Sequence, residues 1–365
     1  MDVKKKKKRI VFLLPSMRGG GSEKVISLIL NYIDKNQFEP ILLLLQKEGT
    51  YLYDLPEDLK IVDLNVTKAR YAVFKIFKVL KCLRPDIIMS TLGHINILLA
   101  LMKPFLANKM RFIARESSIV SVNNQNSKYP RIFDFLYKKV FNRFETIIAQ
   151  SYYMRNDLID NYDVNPSKIK VIYNPLDILK IQKLAEENCE YVNNTKFNLL
   201  IVGRLSVEKN HREILKIMKI LPKEYYLTIV GDGSLKKELI NQVDFLEIKD
   251  KVTFVNFDKN PYKYMKKADT VVSMSFYEGF PNVLIEALAC GTPVVAYNGK
   301  GGTAEIVQDG VNGYLIEFGN INQFVESIIK IKQNPFDNQT IQKTAEQYDV
   351  SKIIQKYEVV FNEEK

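Results

Sequence analysis

Short runs of consecutive apolar residues alternate with longer segments of helical period along the whole sequence. A run that is apolar at every position suits a strand that is covered on both faces of a sheet. The intervening segments, such as 71–83 and 96–106, have the spacing of helices. This pattern predicts a doubly wound α/β fold with parallel sheets. Seven predicted strands lie in the first half: 10–14, 40–45, 61–64, 86–90, 112–115, 146–150 and 170–173.

The pattern restarts after a polar interruption at residues 184–196. A chain of 365 residues is long enough for two domains, each with its own core. We therefore predict domains at 1–178 and 179–365, with their boundary within 174–194 and a final helix at about 340–361. The predicted strands of the second series are 197–202, 226–230, 251–255, 270–274, 293–297 and 313–316.

The excess of positive over negative charge lies entirely in the first half of the chain. The net charge is +11; residues 1–178 contain 29 Lys/Arg and 17 Asp/Glu, a net +12, whereas residues 179–365 contain 24 and 25, a net −1. This asymmetry indicates an anionic partner for one domain only. Nucleic acid is disfavoured because no motif or base-stacking signature accompanies the charge. A membrane surface or a phosphorylated acceptor fits better.

The residue types that bind metals or form disulfides are few. Cys82, Cys189 and Cys290 are far apart, and with His94 and His211 they show no metal-ligand spacing. We therefore expect neither a metal cofactor nor a disulfide framework, and a reducing cytoplasm fits best.

Two segments resemble targeting or membrane signals, and neither meets the requirements. The basic start, 4–9, precedes an apolar run that is too short for a signal peptide and has no cleavage site after it. The charge-free run 87–102 is shorter than the ~20 apolar residues that span a bilayer. We therefore expect a cytoplasmic protein without a membrane-spanning segment.

The first predicted strand ends in a glycine turn, MRGGGSE (17–23), that leads into a helix. Gly20 and Gly21 would let an anion approach backbone N–H groups at the positive end of that helix. The turn matches neither the dinucleotide fingerprint nor the P-loop, so a plain tight turn explains it equally well. Its place at the carboxyl end of a strand favours a phosphate site.

The second predicted domain opens in a similar way, with a strand followed by GRLSVEKN (203–210). Arg204 and Lys209 bring two cations to the end of that strand. Arginine binds phosphate oxygens in pairs, and lysine adds a mobile point charge. Surface cations without a ligand would explain one such loop. Two glycine loops at equivalent places in two domains favour phosphate binding.

The most informative stretch is SMSFYEGFPNVLIEALACGTPVVA (273–296). Pro281 suits the first position of a helix, and Gly291 suits its end. Glu278 then lies in the loop before the helix and Glu286 inside it, so the two carboxylates can contact different parts of one ligand. A solvent-facing Glu286 is the alternative, and its apolar neighbours disfavour it.

The E-x7-E pair of Glu278 and Glu286, together with GRLSVEKN and the N-terminal GGGSE, resembles the family 4 retaining glycosyltransferases of the GT-B fold. The resemblance covers nearly the whole chain. It implies two Rossmann-like domains facing across a cleft. The second would hold most of a nucleotide-sugar donor, the first would bind the acceptor, and the final helix would pack back on the first.

The resemblance also implies roles for individual residues. Glu278, Arg204 and Lys209 form the implied catalytic set, with Glu278 on the hydroxyls of the transferred sugar and the two cations on the diphosphate. The other implied substrate-binding positions are Gly20 and Gly21 at the diphosphate, Glu286 at the ribose, the backbone of Asn256 and Phe257 at the base, and Glu116, Gly279, Phe280, Pro281 and Asn282.

Two positions depart from the family pattern. Glu116, in IARESS (113–118), stands where many relatives have a histidine, so a histidine's support of the sugar is absent or altered. Asn256 stands where a glycine usually precedes Phe257, which would crowd the base and shift nucleotide choice. His94 lies near a strand end and is interpreted as a packed or capped histidine, with acceptor contact as the alternative.

The reaction that the resemblance implies is retaining transfer of a hexose or N-acetylhexosamine, with a UDP-sugar expected as donor and no metal required. A covalent intermediate would need a carboxylate nucleophile. The family's retention is ascribed to attack on the same face without one, so Glu278 is assigned to positioning. A nucleotide-sugar epimerase of the same fold and a non-catalytic sugar-nucleotide binder are the competing interpretations.

Two stretches of the first half, 70–81 and 129–143, interleave aromatic residues with Lys and Arg at helical spacing. Such helices suit the surface of an anionic bilayer, although core-facing helices with solvated basic faces explain them equally well. Together with the net +12 they favour a lipid-linked glycan acceptor of the lipopolysaccharide, O-antigen or capsule type. The enzyme would then act as a peripheral protein on the inner face of the cytoplasmic membrane.

Overall fold

The computed structural model describes residues 6–106, 109–189 and 195–364. Lys4 and Lys5 of the basic start, and residues 190–194 of the predicted interruption, lie outside these ranges. The chain divides into two compact units. Unit 1 comprises Met1–Pro175 together with Val350–Lys365, and unit 2 comprises Leu176–Asp349.

The described residues form strands and helices that alternate along the chain. The strands are β1 (Lys8–Leu14), β2 (Phe38–Leu44), β3 (Lys60–Asp63), β4 (Ile87–Thr91), β5 (Arg111–Arg115), β6 (Thr146–Ala149), β7 (Ile169–Val171), β8 (Phe197–Val202), β9 (Tyr225–Val230), β10 (Val252–Val255), β11 (Thr270–Ser273), β12 (Tyr277–Glu278), β13 (Val294–Tyr297), β14 (Lys300–Gly301) and β15 (Gly313–Ile316). The helices are α1 (Gly21–Tyr32), α2 (Ala69–Leu83), α3 (Gly93–Met102), α4 (Val120–Gln125), α5 (Pro130–Val140), α6 (Tyr152–Tyr162), α7 (Ile178–Ala185), α8 (His211–Ile220), α9 (Lys236–Phe245), α10 (Tyr262–Lys267), α11 (Asn282–Ala289), α12 (Thr303–Ile306), α13 (Ile321–Gln333), α14 (Asn338–Ala345) and α15 (Val350–Asn362).

Unit 1 is built on a parallel sheet of seven strands in the order β3-β2-β1-β4-β5-β6-β7. All seven predicted strands are confirmed, with ends that differ by one or two residues. The apolar runs are buried because helices cover the sheet. One of these helices is α15, whose Phe361 ring meets those of Phe12 and Phe38 edge to face at 6.1 and 5.9 Å. Residues from both ends of the sequence therefore share one core.

The prediction of a single helix at about 340–361 is wrong, because the structure has two helices there. α14 ends at Ala345 in unit 2, and α15 begins at Val350 in unit 1. Between them the carbonyl of Tyr348 accepts a hydrogen bond from the backbone N–H of Leu176 at 2.7 Å. Asp349 then turns out of the helix, with φ −53° and ψ 137°. The interruption is thus fixed by a residue far away in the sequence.

Unit 2 contains a parallel sheet of six strands in the order β10-β9-β8-β11-β13-β15. All six predicted strands are confirmed. The chain order reverses at β8, since β9 pairs on one side of it and β11 on the other. In open α/β sheets such a switch point leaves a crevice at the carboxyl ends of the two strands. The small pairing of β12 with β14 was not predicted.

None of the helices in the described ranges is both long and apolar enough to span a lipid bilayer.

Candidate functional site

The candidate site of unit 2 lies at the carboxyl ends of β8 and β11. After β8, a short 3₁₀ turn formed by Val207–Lys209 leads to Asn210, which adopts a left-handed conformation with φ 51° immediately before α8. A Cβ on Gly231 would lie 1.9 Å from the carbonyl oxygen of Gly203, so the loops after β8 and β9 are in backbone contact. These turns fix the backbone that carries Lys209.

Lys209 and Glu278 form an ion pair at this edge, between Nζ and Oε1. The Ser275 hydroxyl donates a second hydrogen bond to the same carboxylate oxygen at 2.8 Å. Both members of the ion pair are largely buried, with 23% and 17% of their side chains exposed. A cation and a carboxylate predicted to serve the diphosphate and the sugar are therefore adjacent, and a ligand anion would compete with Glu278 for Lys209.

The backbone of Glu278 is held by the pairing of β12 with β14. Gly302 donates its N–H to the Glu278 carbonyl at 3.1 Å. Gly301 has φ 123°, and a Cβ there would lie 1.6 Å from the same carbonyl oxygen. A residue with a side chain cannot occupy this position without moving the loop. Gly301 thus determines where Glu278 lies, although the sequence did not indicate this role.

The helix that carries Glu286 starts one residue later than expected. Pro281 precedes α11, and Asn282 is the first helical residue. The helix ends before Gly291, which has φ 81°, as predicted. Glu286 lies on the buried part of α11, in agreement with its apolar neighbours. The carboxylates are therefore set apart, with Glu278 at the loop and Glu286 inside the helix.

The remaining residues of the EGFPN segment differ in accessibility. Gly279 and Asn282 are half-buried, whereas Pro281 is buried. Phe280 is also buried, and its ring meets that of Tyr348 at 5.6 Å. The side chain of Phe280 thus packs within unit 2, and contact of this segment with a ligand stays a prediction.

Arg204, Asn256 and Phe257 are exposed at the same edge of the unit 2 sheet. Arg204 follows β8 and makes no ion pair or side-chain hydrogen bond within the described part of the chain. Asn256 and Phe257 follow β10, two strands away in the sheet. Lys236, the first residue of α9, donates a hydrogen bond to Oδ1 of Asn256. The sequence interpretation missed Lys236.

His211 lies beneath this edge, two residues after Lys209. It is 1% exposed, and neither ring nitrogen has a hydrogen-bond partner among the described residues. It lines a small cavity together with Lys209, Ser273 and Ser275. Burial, with the nearby charge of Lys209, lowers the pKa of His211 to about 4. The imidazole is therefore neutral at pH 7 and adds no cation to the site.

In unit 1, Gly20 caps the amino end of α1 and Gly21 is its first residue. Gly20 is extended, with φ −114° and ψ 162°. A Cβ on Gly20 would lie 2.4 Å from Oε2 of Glu23. The carboxylate of Glu23 therefore lies against the glycine turn. The resemblance implied that this turn contacts the donor diphosphate.

Glu116 follows β5 in unit 1 and is 1% exposed. Its Oε1 accepts hydrogen bonds from Nδ2 of Asn96 at 2.7 Å and from the hydroxyl of Tyr137 at 3.1 Å. Burial raises the pKa of Glu116 to about 7. Within unit 1 the carboxyl group of Glu116 is therefore buried in a hydrogen-bond network, and the substrate-binding role that the resemblance implied stays a prediction. His94, in the first turn of α3, is exposed rather than packed.

No group of three or more His, Cys, Asp or Glu side chains suited to hold a metal ion occurs in the ranges 6–106, 109–189 and 195–364.

Two family descriptions match the chain. The one described as Glycosyltransferase Family 4 matches residues 19–179, and the one described as Glycosyl transferases group 1 matches residues 186–348. Between them the two matches cover most of the sequence.

Curated relatives are similar over most of their length. A protein of Campylobacter jejuni, named N-acetylgalactosamine-N,N'-diacetylbacillosaminyl-diphospho-undecaprenol 4-alpha-N-acetylgalactosaminyltransferase, is 32% identical over 327 residues, which are 86% of this chain and 87% of that protein. The amylovoran biosynthesis glycosyltransferase AmsD of Erwinia amylovora is 25% identical over 319 residues, 85% of each chain.

Solved structures share the fold. The crystal structure of HepE from Anabaena in complex with UDP aligns with a TM-score of 0.81 at 23% identity, covering 97% of this chain and 99% of that one. The chain therefore has the GT-B fold, with two Rossmann-like parallel-sheet domains.

Proposed function

Because the chain belongs to the family 4 and group 1 glycosyltransferases, we propose that it transfers a hexose or N-acetylhexosamine from a UDP-sugar to a lipid-linked glycan with retention of configuration. In this proposal unit 2 binds the donor and unit 1 binds the acceptor. The observation that carries the proposal is the Lys209–Glu278 ion pair with the Ser275 hydroxyl, at the switch point of the unit 2 sheet.

The chemistry of this arrangement suits departure of a nucleoside diphosphate. As the bond to the sugar breaks, negative charge grows on the outer phosphate, and Lys209 and Arg204 supply cations at the same sheet edge. When Lys209 turns to the phosphate, the carboxylate of Glu278 is released to accept hydrogen bonds from sugar hydroxyls. Glu278 therefore positions the sugar. The acceptor hydroxyl attacks the anomeric carbon from the face that the diphosphate leaves, the bond to the diphosphate oxygen breaks, and the hydroxyl proton passes to an oxygen of the leaving diphosphate.

The proposed acceptor is a glycan on a polyprenyl diphosphate or a related lipid. The Campylobacter jejuni relative is named for a diphospho-undecaprenol acceptor. The net +12 of residues 1–178 would attract such a diphosphate and the anionic lipids around it. Pathways that assemble lipopolysaccharide, O-antigen or capsule contain acceptors of this kind, which agrees with the surface-glycan context of the relatives.

Two helices of unit 1 are the proposed membrane contact. α3 contacts both α2 and α5, so the two flank a common helix. Phe74 of α2 and Phe135 of α5 are 86% and 59% exposed. Cations accompany them; Nζ of Lys139, for example, lies 5.9 Å from the centre of the Phe135 ring. Exposed aromatic rings among lysines suit the interface of an anionic bilayer.

Replacing both Phe74 and Phe135 by serine is expected to weaken binding to anionic vesicles about tenfold, since two aromatic rings no longer enter the interface. Flotation with phosphatidylglycerol vesicles measures the effect. Phe245→Ser is the matched control, because Phe245 is 85% exposed and lies in unit 2. Wild-type binding that does not depend on anionic lipid would contradict the proposed membrane contact.

The proposed reaction is tested by incubating the purified protein with a panel of nucleotide sugars and polyprenyl-diphosphate-linked glycans, with and without EDTA. Mass spectrometry should detect one added hexose or N-acetylhexosamine with a UDP-sugar, and EDTA should leave the rate unchanged. NMR of the new linkage should show the anomeric configuration of the donor. Binding of UDP-sugars without transfer to any acceptor would favour the non-catalytic binder instead.

A further inference from the structure

His211, the first residue of α8, is a buried polar side chain that the proposed reaction does not use. It is 1% exposed, and neither Nδ1 nor Nε2 has a hydrogen-bond partner among the described residues. A buried polar group that lacks a partner loses the hydrogen bonds that water gave it, so such groups are normally bonded to protein or to an ordered water molecule. The imidazole therefore indicates a small hydrogen-bonding ligand at this place.

The cavity beside His211 has the size and the polarity that suit one water molecule. Its interior offers the centre of a water molecule a volume of about 10 Å³, which is close to the minimum for one water. Apolar side chains form part of its wall, and four polar side chains line it: Lys209, His211, Ser273 and Ser275. A buried water needs two to four polar partners, and this lining supplies them.

Ser275 connects this cavity to the carboxylate of Glu278. Its hydroxyl donates its one proton to Oε1 of Glu278 at 2.8 Å, so the hydroxyl oxygen can take part in a further hydrogen bond only as an acceptor. Ser275 is buried, with 7% of its surface exposed, and bulk solvent therefore does not readily supply that donor. A water molecule in the cavity has a proton to donate to it.

We propose that this cavity binds one water molecule that accepts a hydrogen bond from His211 and donates one to Ser275, which makes His211 a positioning residue for Glu278. The three hydrogen bonds, from ring N–H to water, from water to hydroxyl and from hydroxyl to carboxylate, run in one direction and strengthen one another. They direct the Ser275 proton, which otherwise rotates about the Cβ–Oγ bond, toward Oε1. The expected effect on the rate rests on the proposed function, whereas the water site itself does not.

The water matters most when Lys209 leaves Glu278. In the structure both Lys209 and Ser275 donate to Oε1 of Glu278. The proposed reaction turns Lys209 to the phosphate, and the Ser275 hydroxyl is then the remaining side-chain donor to Glu278 among the described residues. Because the water holds this hydroxyl from the other side, the carboxylate keeps its direction while it contacts the sugar.

A crystal structure of the wild type tests the water site without any substrate. One water oxygen is expected within about 3.2 Å of a ring nitrogen of His211 and of Oγ of Ser275. In His211→Phe this water should be lost, because the new ring is similar in shape but has no nitrogen. A wild-type cavity without a water molecule, or a water that stays in place in His211→Phe, would overturn the proposal.

His211→Phe is also expected to lower kcat for sugar transfer about five- to tenfold, while the dissociation constant of UDP changes less than about twofold. UDP binding is spared because the hydrogen bonds end at Glu278, which the proposed function places on the sugar. His211→Asn and His211→Gln each return an N–H₂ group near one of the two ring nitrogens, and one of them should restore most of the lost kcat. Failure of both to do so, with thermal unfolding showing them folded, would contradict the positioning role.

A double-mutant cycle shows whether His211 acts through Ser275. The variant with both His211→Phe and Ser275→Ala should be no slower than Ser275→Ala alone, since both changes break the same series of hydrogen bonds. Losses in kcat that multiply would overturn the link between the two residues. A wild type that transfers sugar to no acceptor would overturn the proposed function instead, and the two crystal structures would still decide the water site.

Discussion

Replacing Glu278 by alanine is expected to lower kcat for sugar transfer about 10²–10³-fold while the affinity for UDP changes less than about threefold. The carboxylate is held by Lys209 and by the Ser275 hydroxyl, and the proposed reaction places the sugar beside it. A group that contacts the sugar and not the nucleotide contributes to the reaction more than to nucleotide binding. Steady-state kinetics and calorimetry measure the two quantities.

Two further variants make the Glu278 result specific. Glu278→Gln keeps the shape and the hydrogen bond from Ser275 but loses the charge, so its activity should lie between those of the wild type and Glu278→Ala. Glu326→Ala removes an exposed carboxylate on α13 and should leave both quantities unchanged. Near-normal turnover in Glu278→Ala would remove this residue from the reaction.

Lys209→Met is expected to reduce kcat/KM about 10³-fold and, unlike Glu278→Ala, to weaken UDP binding about tenfold as well. In the proposed reaction the ammonium contributes to binding because it would contact the diphosphate in the ground state, and to rate because the charge on the leaving phosphate grows. Loss of the cation also leaves Glu278 without its ion-pair partner in a half-buried place. This change is expected to cost about 1–3 kcal/mol of unfolding free energy.

The matched control for this change is Lys216→Met, which removes an exposed lysine from the neighbouring helix α8. It should leave kinetics and UDP affinity as they are. Circular dichroism and thermal unfolding would establish that Lys209→Met remains folded. If the folded variant bound UDP as tightly as the wild type, the diphosphate would have to be held by other groups, with Arg204 the first to test.

The main sheets could be predicted because most of their strands contain runs of consecutive apolar residues, a signal that arises from burial on both faces. The pairing of β12 with β14 could not, because each strand has two residues and two residues carry no period. The end of α14 also escaped prediction. Shortly after it, Tyr348 accepts a hydrogen bond from Leu176, which is 172 residues away in the sequence, and local periodicity does not report such a contact.

The site was predictable in its residue types but not in its contacts. Lys209 and Glu278 were assigned from separate motifs, and their direct ion pair follows from β8 lying beside β11. Asn256 was assigned to the base through its backbone. Its side chain acquires a direction only from Lys236, on another element.

Glu116 shows the limit of an assignment by position, since a substrate-binding role was implied because it stands where many relatives have a histidine. The structure buries it because Asn96 and Tyr137, both distant in sequence, provide hydrogen bonds that compensate for the loss of water. A motif that is defined by its position at a strand end does not show which distant residues form hydrogen bonds with it.

The placement of α15 in unit 1 has a consequence for the order in which the chain matures on the ribosome. Tyr357 and Phe361 complete the core of unit 1 beneath β1 and β2, yet they are synthesised after every residue of unit 2. All the segments of unit 2 leave the exit tunnel before unit 1 can close. The apolar groove that α15 fills is therefore exposed throughout translation of residues 176–349, which is the interval in which a chaperone would protect it.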